Sequence, residues 1–355
     1  MLRFIQTCLP VLTYAICVQS CAKQAYYIDT FTNRDEVGNY VIKWEVRPGM
    51  EGRVELFASD DPYSFPTRPF ATESIGKQVS TYITEDNFSR KFFLLVFDRD
   101  EMVVAGAKVI PTFGVTNLRD IGGYQALSGE YVSWGKVYRS GRLTNLSYRD
   151  SLMVDRLGIN TRLILSDMRS PTVLPSSTGS MKSYLLRADR DNDRMELLRK
   201  VLAGEADARD VRRANDRYLR HLAFNNVAQY RTALEYMNEK RRYPILISDS
   251  WGKDRAAFFI VMIQSILNMN RSDILDDYLM SNNLLQVERM VPGGYRMDPS
   301  IQEALTEFFR CRSDDLNEII SEIERKYGSM GKYIEKVYGF SLSQQNHLRS
   351  LLLDL

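Results

Sequence analysis

The sequence has few of the residues that build disulfide frameworks, and its net charge is close to zero. Among its 355 residues are four cysteines and two histidines, and three of those cysteines lie within the first 21 residues. Only Cys311 remains in the body of the chain, which excludes a disulfide framework there. The formal net charge of +2 gives no electrostatic reason to expect nucleic-acid binding.

The composition is that of an ordinary globular protein. Hydrophobic residues make up 44% of the chain and charged residues 26%. The length allows two domains or one large domain. We find no internal repeat.

The first 21 residues have the pattern of a secretion signal. Arg3 supplies a positive charge, and the mostly apolar run 4–18 is too short to span a membrane. The run ends in V-Q-S-C at 18–21, which resembles a bacterial lipobox and implies that Cys21 is lipidated and becomes the mature N-terminus. We therefore expect a lipoprotein anchored in the bacterial envelope, with Lys23 favouring the outer membrane or periplasmic face. A plain cleaved signal or an uncleaved anchor is the alternative.

Residues 37–110 alternate apolar and polar side chains, as half-buried strands do. Tyr40, Ile42, Trp44 and Val46 would share one face of a strand. We predict a small all-β sandwich of the immunoglobulin or fibronectin kind, which follows a polar tether at 22–36 and serves as a spacer or docking module. The predicted strands are 40–46, 53–58, 79–84, 92–97 and 102–110.

Residues 111–355 mix strand and helix patterns, so we predict an α/β domain. Ser147 and Asp150 predict a capped helix that ends near Leu157. A strand is predicted at 159–165, a polar loop at 171–193 and helical structure at 194–240. The run 256–269 is apolar nearly all round and predicts a buried helix. Further helices are predicted to begin near 313, 329 and 341.

Six short motifs follow one another in this second region. They are N-L-R-D-I-G-G-Y at 117–124, W-G-K-V-Y-R-S-G at 134–141, S-D-M-R-S at 166–170, G-K-D-R at 252–255, D-Y-L-M-S-N at 277–282 and Y-G-S at 327–329. In order and spacing they resemble the atypical bacterial tyrosine phosphatases, which include secreted mycobacterial enzymes acting on phosphotyrosine, phosphoserine/threonine and phosphoinositides. The resemblance covers about 110–355 and implies a phosphatase-like fold with a central sheet flanked by helices.

The resemblance also implies a phosphate-binding loop. In the family, a loop H-C-x-x-G-K-D-R-T-G wraps phosphate with backbone N–H groups, and a helix points its positive end at the anion. The cysteine is the nucleophile, the arginine binds phosphate oxygens, and an aspartate protonates the leaving oxygen. By motif, Gly252, Lys253, Asp254 and Arg255 match this loop, and Asp167 stands at the general-acid position.

The match fails at the reacting position. Asp249 stands where the family has its cysteine, and Ser248 stands where it has histidine. Ser250 and Trp251 fill the two variable positions of the loop, with Trp251 either plugging the pocket or binding a partner. We therefore expect cysteine-dependent activity to be lost. The other motif arginines, Arg119 and Arg139, are expected to be structural.

Asp249 also bears on binding. At about 4 Å a carboxylate would repel a phosphate anion by roughly 4 kcal/mol, which is about three decades of affinity. We hypothesise that Asp249 is a built-in ligand of its own loop, held by loop amides, the helix N-terminus and Arg255.

The expected partner at the loop is a protein or a phosphorylated ligand. No cofactor or metal is expected, because no paired carboxylates flank the loop.

Three functions remain open at this point. The leading one is an envelope lipoprotein whose phosphatase-like domain acts by binding. The second is a working phosphatase with a non-standard nucleophile, including aspartyl-phosphate chemistry at Asp249, which would need a metal ion. The third is a structural or docking lipoprotein that acts through its β-sandwich.

Overall fold

The computed structural model describes residues 26–98, 101–144, 146–166, 181–188, 194–285 and 287–354. The predicted signal at 1–21, with Cys21, lies outside the described residues, and so does Asp167. Within the described ranges, no helix is both long enough and apolar enough to cross a membrane.

The N-terminal part folds as two antiparallel sheets on a shared core. Its strands are β1 (Tyr27–Arg34), β2 (Tyr40–Arg47), β3 (Arg53–Ser59), β4 (Ala71–Ser74), β5 (Val79–Tyr82), β6 (Phe92–Phe97) and β7 (Glu101–Gly106). One sheet has the order β1-β2-β5 and the other β4-β3-β6-β7. The alternation along β2 places Tyr40, Ile42 and Trp44 in the core, where they meet Phe93 and Leu95 of the other sheet. Kinship with immunoglobulin or fibronectin modules stays a prediction.

Two predictions for polar segments are wrong. The stretch 22–36, predicted as a tether, contains β1, and the stretch 171–193, predicted as a loop, contains the strand β12 (Lys182–Arg187). Both strands lie at the edge of a sheet. Only Ile28 and Thr32 of β1 and only Leu186 of β12 are buried. An edge strand with so few buried side chains needs little apolar sequence, and composition alone therefore does not reveal it.

A five-stranded sheet forms the centre of the second part. The remaining strands are β8 (Arg119–Asp120), β9 (Tyr131–Val132), β10 (Val137–Ser140), β11 (Thr161–Ser166), β13 (Ile245–Ser248) and β14 (Leu353–Asp354). The central sheet has the order β12-β11-β13-β10-β8. Neighbours are parallel except for β10 and β8, which are antiparallel. The predicted α/β architecture is confirmed.

Helices pack on both faces of this sheet. They are α1 (Tyr148–Asp155), α2 (Arg194–Leu202), α3 (Ala208–Phe224), α4 (Val227–Met237), α5 (Arg255–Ile266), α6 (Arg271–Leu279), α7 (Ser281–Leu284), α8 (Val287–Met290), α9 (Pro299–Phe309), α10 (Ser313–Tyr327), α11 (Met330–Tyr338) and α12 (Leu342–Leu352). Helix α1 begins with the predicted Ser147–Asp150 capping box. Helix α5 matches the predicted buried helix, and every residue in it except Ser265 is buried.

A buried arginine joins the two parts of the molecule. Arg90 of the β part forms an ion pair of 2.5 Å with Asp120 of the α/β part. The same guanidinium lies over the rings of Phe92 and Trp134, at 4.5 and 5.1 Å from their centroids. The indole N–H of Trp134 donates to the Val104 carbonyl oxygen at 2.9 Å. These directional contacts fix the β part to the α/β part.

Candidate functional site

The loop 249–254 connects the end of β13 to the start of α5. Strand β13 lies in the middle of the sheet, with the parallel strands β11 and β10 on either side. In α/β sheets, the carboxyl ends of such central strands are where ligands bind. The loop turns tightly at Gly252, which has φ 71°. A Cβ atom there would lie 2.6 Å from the backbone of Ser140, so this turn requires glycine.

The carboxylate of Asp249 lies at the centre of this loop and accepts four backbone N–H bonds. Oδ1 accepts from Trp251 at 2.9 Å and from Gly252, while Oδ2 accepts from Asp254 at 3.2 Å and from Ala256 at 3.0 Å. Both carboxylate oxygens act as acceptors in these four bonds, as the oxygens of an ionised carboxylate do. Because the Ala256 amide belongs to the first turn of α5, the positive end of the helix dipole also faces this charge.

The surroundings of Asp249 act on its charge in opposite directions. Its side chain is buried, and burial together with the nearby Asp254 carboxylate raises its pKa. The backbone amides oppose that rise. The expectation that Arg255 would also hold this carboxylate stays a prediction. In the described part of the chain the bonds to Asp249 come from amides, and the Arg255 guanidinium lies over the Tyr218 ring, 5.4 Å from its centroid.

Lys253 and Asp254 pair with each other beside the loop. The Lys253 ammonium lies 2.7 Å from one carboxylate oxygen of Asp254, and Nε of Arg194 lies 3.7 Å from the other. Burial alone would raise the pKa of Asp254, but Lys253 and Arg194 outweigh it and lower that pKa. Both predicted site residues are thus held in an internal ion pair.

The two serines of the loop have different surroundings. Ser248 is fully buried. Its hydroxyl accepts from Nε of Arg162 at 3.1 Å and donates to the Leu163 carbonyl oxygen at 3.4 Å. Ser250 is half-buried and accepts a hydrogen bond of 3.0 Å from Arg142. Ser248 is therefore part of the core, whereas Ser250 lies on the outer side of the loop.

The Trp251 ring packs into a neighbouring helical cluster. It makes edge-to-face contacts with Phe308 and Phe309 of α9, at centroid distances of 5.3 and 5.7 Å. The side chain is half-buried. These contacts hold the ring against α9. The two roles predicted for Trp251, a plug of the pocket and a contact for a partner, both stay predictions.

A buried ionic cluster lies beneath the loop. Nε of Arg119 is 3.0 Å from one oxygen of Asp277, and a guanidinium nitrogen of Arg139 is 2.8 Å from the other. All three side chains are at most 1% exposed. Burial alone would raise the pKa of Asp277, yet the two arginines outweigh it and lower that pKa to about 2.

This cluster holds the carbonyl side of the loop. Arg139 donates to the Gly252 carbonyl oxygen at 2.6 and 3.2 Å, and the Asn117 amide donates to the Trp251 carbonyl oxygen at 3.2 Å. The expectation that Arg119 and Arg139 are structural agrees with these contacts. Sequence reasoning missed the roles of Asp277 and Asn117, although both stand inside the motifs that it singled out.

Cys311, the cysteine that the described residues contain, is buried in the main hydrophobic core. Burial raises the pKa of its thiol, which disfavours the reactive thiolate. Across the described ranges, no three His, Cys, Asp or Glu side chains come together as metal ligands would.

Comparison with known proteins identifies the family. Residues 110–354 match the model of a family described as the tyrosine phosphatase family. The chain belongs to that family. A protein of Cupriavidus necator, provisionally named a tyrosine-protein phosphatase, is 26% identical over 254 residues, which are 65% of this chain and 84% of that protein. The triple specificity protein phosphatase PtpB of Mycobacterium tuberculosis is 27% identical over 124 residues, which are 31% of this chain and 44% of PtpB.

Solved structures give a more distant likeness. The catalytic core of the PP-IP phosphatase Siw14 from S. cerevisiae, in complex with citrate, is 17% identical with a TM-score of 0.29, covering 60% of this chain and 94% of that one. A second Siw14 catalytic core is 16% identical with a TM-score of 0.30, covering 61% and 95%. The family resemblance drawn from the six motifs is confirmed by the sequence comparisons.

Proposed function

We propose that this member of the tyrosine phosphatase family is a pseudophosphatase, which acts by binding and does not hydrolyse phosphate esters. The observation that carries the proposal is the carboxylate of Asp249, on which four backbone N–H groups of the loop and helix start converge. In the family such groups bind phosphate. A phosphate anion at about 4 Å from this charge would be repelled by roughly 4 kcal/mol.

The available nucleophiles support the same proposal. Asp249 stands at the position of the family's cysteine, and its oxygens are engaged by amides. The hydroxyl of Ser248 is buried and bonded to a strand carbonyl, and the Cys311 thiol is buried with a raised pKa. Ser250 lies on the outer side of the loop with its hydroxyl bonded to Arg142. None of these groups has the exposed, activated setting of a phosphatase nucleophile.

The proposal extends to the place of the protein in the cell. The lipobox-like V-Q-S-C at 18–21 supports lipidation of Cys21 and attachment to a membrane of the bacterial envelope. The two-sheet part then stands between the anchor and the phosphatase-like domain, as an immunoglobulin- or fibronectin-like module would. Radiolabelled palmitate should label the wild-type protein in cells and should not label Cys21→Ala.

The first test of the pseudophosphatase proposal is turnover of p-nitrophenyl phosphate. The full chain in detergent is assayed with and without Mg²⁺, beside Asp249→Asn and Arg255→Ala. We expect no turnover by the wild type above that of Arg255→Ala. Turnover that survives Asp249→Asn but is lost in Arg255→Ala would point to another nucleophile. Turnover lost in both variants would point to Asp249 itself, and either result would overturn the proposal.

The second test is titration with inorganic phosphate. Binding is measured as the rise in melting temperature that a bound ligand causes. Asp249→Ser removes the internal carboxylate, and we expect it to bind phosphate up to about a thousandfold more tightly than the wild type. Asp276→Ser is the matched control, because it makes the same change of charge at an exposed site on α6. Equal affinity in wild type and Asp249→Ser would refute the built-in ligand.

A further inference from the structure

We propose that a groove at the mouth of the loop docks an unphosphorylated, acidic segment of a partner protein through an aromatic side chain and its flanking carboxylates. This inference rests on the proposed function, because it takes the anion position of the loop to be filled by Asp249. The groove, called here the mouth groove, is lined by Ser250 and Trp251 of the loop and by the chain around Phe113, Arg142 and Arg289.

The mouth groove has the size and lining of a binding site. Its volume is about 530 Å³, within the roughly 300–1,000 Å³ that is typical of ligand pockets. Helix α2 contributes Met195 and Leu198 to its wall, and α8 contributes Met290. The Trp251 ring forms part of the same wall while its other contacts hold it against α9. The groove therefore combines apolar walls with a fixed aromatic ring.

Large apolar side chains are exposed at the rim of the groove. Phe113 is 73% exposed and Met195 is 48% exposed, and both line it. Tyr148, which follows the lining residue Ser147, is 81% exposed. Exposed apolar side chains that cluster around a groove mark a surface for protein contacts. An aromatic side chain of the partner fits between this rim and Trp251.

The described lining residues of the mouth groove present positive charge. Arg289 is exposed, and its guanidinium donates to the Thr112 carbonyl oxygen at 2.9 Å and to the next carbonyl along the chain. Arg142 also lines the groove. Among the described lining residues, Asp150 has the only carboxylate. It is fully buried and its oxygens accept three backbone N–H bonds at 2.8–3.1 Å. Among the described lining residues, carboxylates of a partner therefore meet arginine and no exposed acid.

The loop behind the lining residues Ser250 and Trp251 decides between a phosphorylated and an unphosphorylated segment. The amides that would bind a phosphate are occupied by Asp249. A phosphotyrosine would bring its charge toward that carboxylate, whereas an unmodified tyrosine or phenylalanine brings none. Carboxylates beside the aromatic residue would meet the arginines that line the groove. The lining of the groove and the carboxylate of Asp249 in the loop behind it thus favour an acidic, unphosphorylated segment.

The test uses the full chain in detergent micelles and an array of short synthetic peptides with a central tyrosine. One set has aspartate and glutamate flanks and a second set has lysine flanks. A third set has alanine in place of tyrosine and a fourth has phosphotyrosine. We expect the acidic, unphosphorylated set to bind most tightly. Phe113→Ala should weaken that binding about tenfold and Arg289→Ala about fivefold, and Arg289→Lys should restore part of the loss.

Matched controls come from exposed residues elsewhere. Arg241→Ala removes an exposed arginine beside the opposite end of β13. Leu127→Ala removes a side chain that is 68% exposed. The backbone N–H of Leu127 donates to the carbonyl oxygen of Asn268, near the end of α5 that lies farther from the loop. Both should bind the peptides as the wild type does. Variants whose melting temperatures match the wild type show that the losses are not unfolding.

The inference is overturned if the phosphotyrosine set binds most tightly. It is overturned equally if no set binds better than the lysine-flanked one, or if the controls lose as much affinity as Phe113→Ala. Phosphate release from the phosphotyrosine peptides is measured in parallel. Release would overturn the pseudophosphatase proposal, while the order of peptide affinities decides the docking proposal, so the two failures can be told apart.

Discussion

The carbonyl side and the amide side of the loop 249–254 depend on different parts of the molecule. The carbonyl oxygens of Trp251 and Gly252 are held by Asn117 and Arg139, which are separated from the loop by more than a hundred positions in sequence. The amide side is held by one residue of the loop itself, Asp249. The shape of the loop can therefore persist when the group at its centre changes, because the carbonyl side does not contact that group.

The largest expected effect tests the carbonyl side. Asp277→Asn leaves Arg119 and Arg139 buried side by side without their common counter-charge. Loss of one member of a buried ionic cluster costs about 3–5 kcal/mol, so we expect the free energy of unfolding in urea to fall by that amount. Glu45→Gln is the control, because it breaks an ion pair whose side chains are more than half exposed, and it should cost less than about 1 kcal/mol. Equal losses in the two variants would mean that the buried cluster of Arg119, Arg139 and Asp277 stabilises the protein no more than an exposed ion pair does.

The next effect is the pH dependence of the same carboxylate. The pKa of Asp277 is lowered to about 2, below the roughly 3.9 of an unfolded aspartate. A lowered pKa stabilises the folded protein above about pH 4, and this stabilisation is lost as the pH falls through about 2. Over that interval the wild type should lose about 2–3 kcal/mol more than Asp277→Asn. Parallel pH profiles for the two proteins would contradict the ionised cluster.

The smallest effect tests the amide side. Asp249→Asn keeps the shape of the side chain but replaces one acceptor oxygen by an amide group, so two of the four N–H groups lose their acceptor. An unsatisfied buried amide is costly, and relief from burying a charge offsets part of that cost. We expect a loss of about 1–2 kcal/mol in the free energy of unfolding. A loss as large as that of Asp277→Asn would mean that the Asp249 carboxylate stabilises the fold as much as the buried ionic cluster does.

Local sequence patterns predicted the elements whose residues carry their own signal. The apolar run that becomes α5 is buried on every side, and Ser147 with Asp150 forms the capping box that their spacing predicts. The edge strands β1 and β12 carry no such signal. Among the described residues, each of these strands is hydrogen-bonded to a neighbouring strand on one side only, and few of their side chains enter the core.

The site was predictable where it depends on the loop and unpredictable where it depends on distant residues. The hypothesis that loop amides and the helix start bind Asp249 needed only the local motif. The partners of Arg119 and Arg139 could not be read in this way, because Asp277 is 158 and 138 positions away from them. The Arg255 guanidinium lies over the ring of Tyr218 on α3, a contact that the local motif does not predict.

The contacts of Arg90 oppose any rotation of the β part relative to the α/β part. A carboxylate, a carbonyl oxygen and two aromatic rings bind the one guanidinium from different directions. Turning one part against the other would separate a buried charged pair. The two parts therefore reorient together, so a rotation of the β part rotates the mouth groove with it.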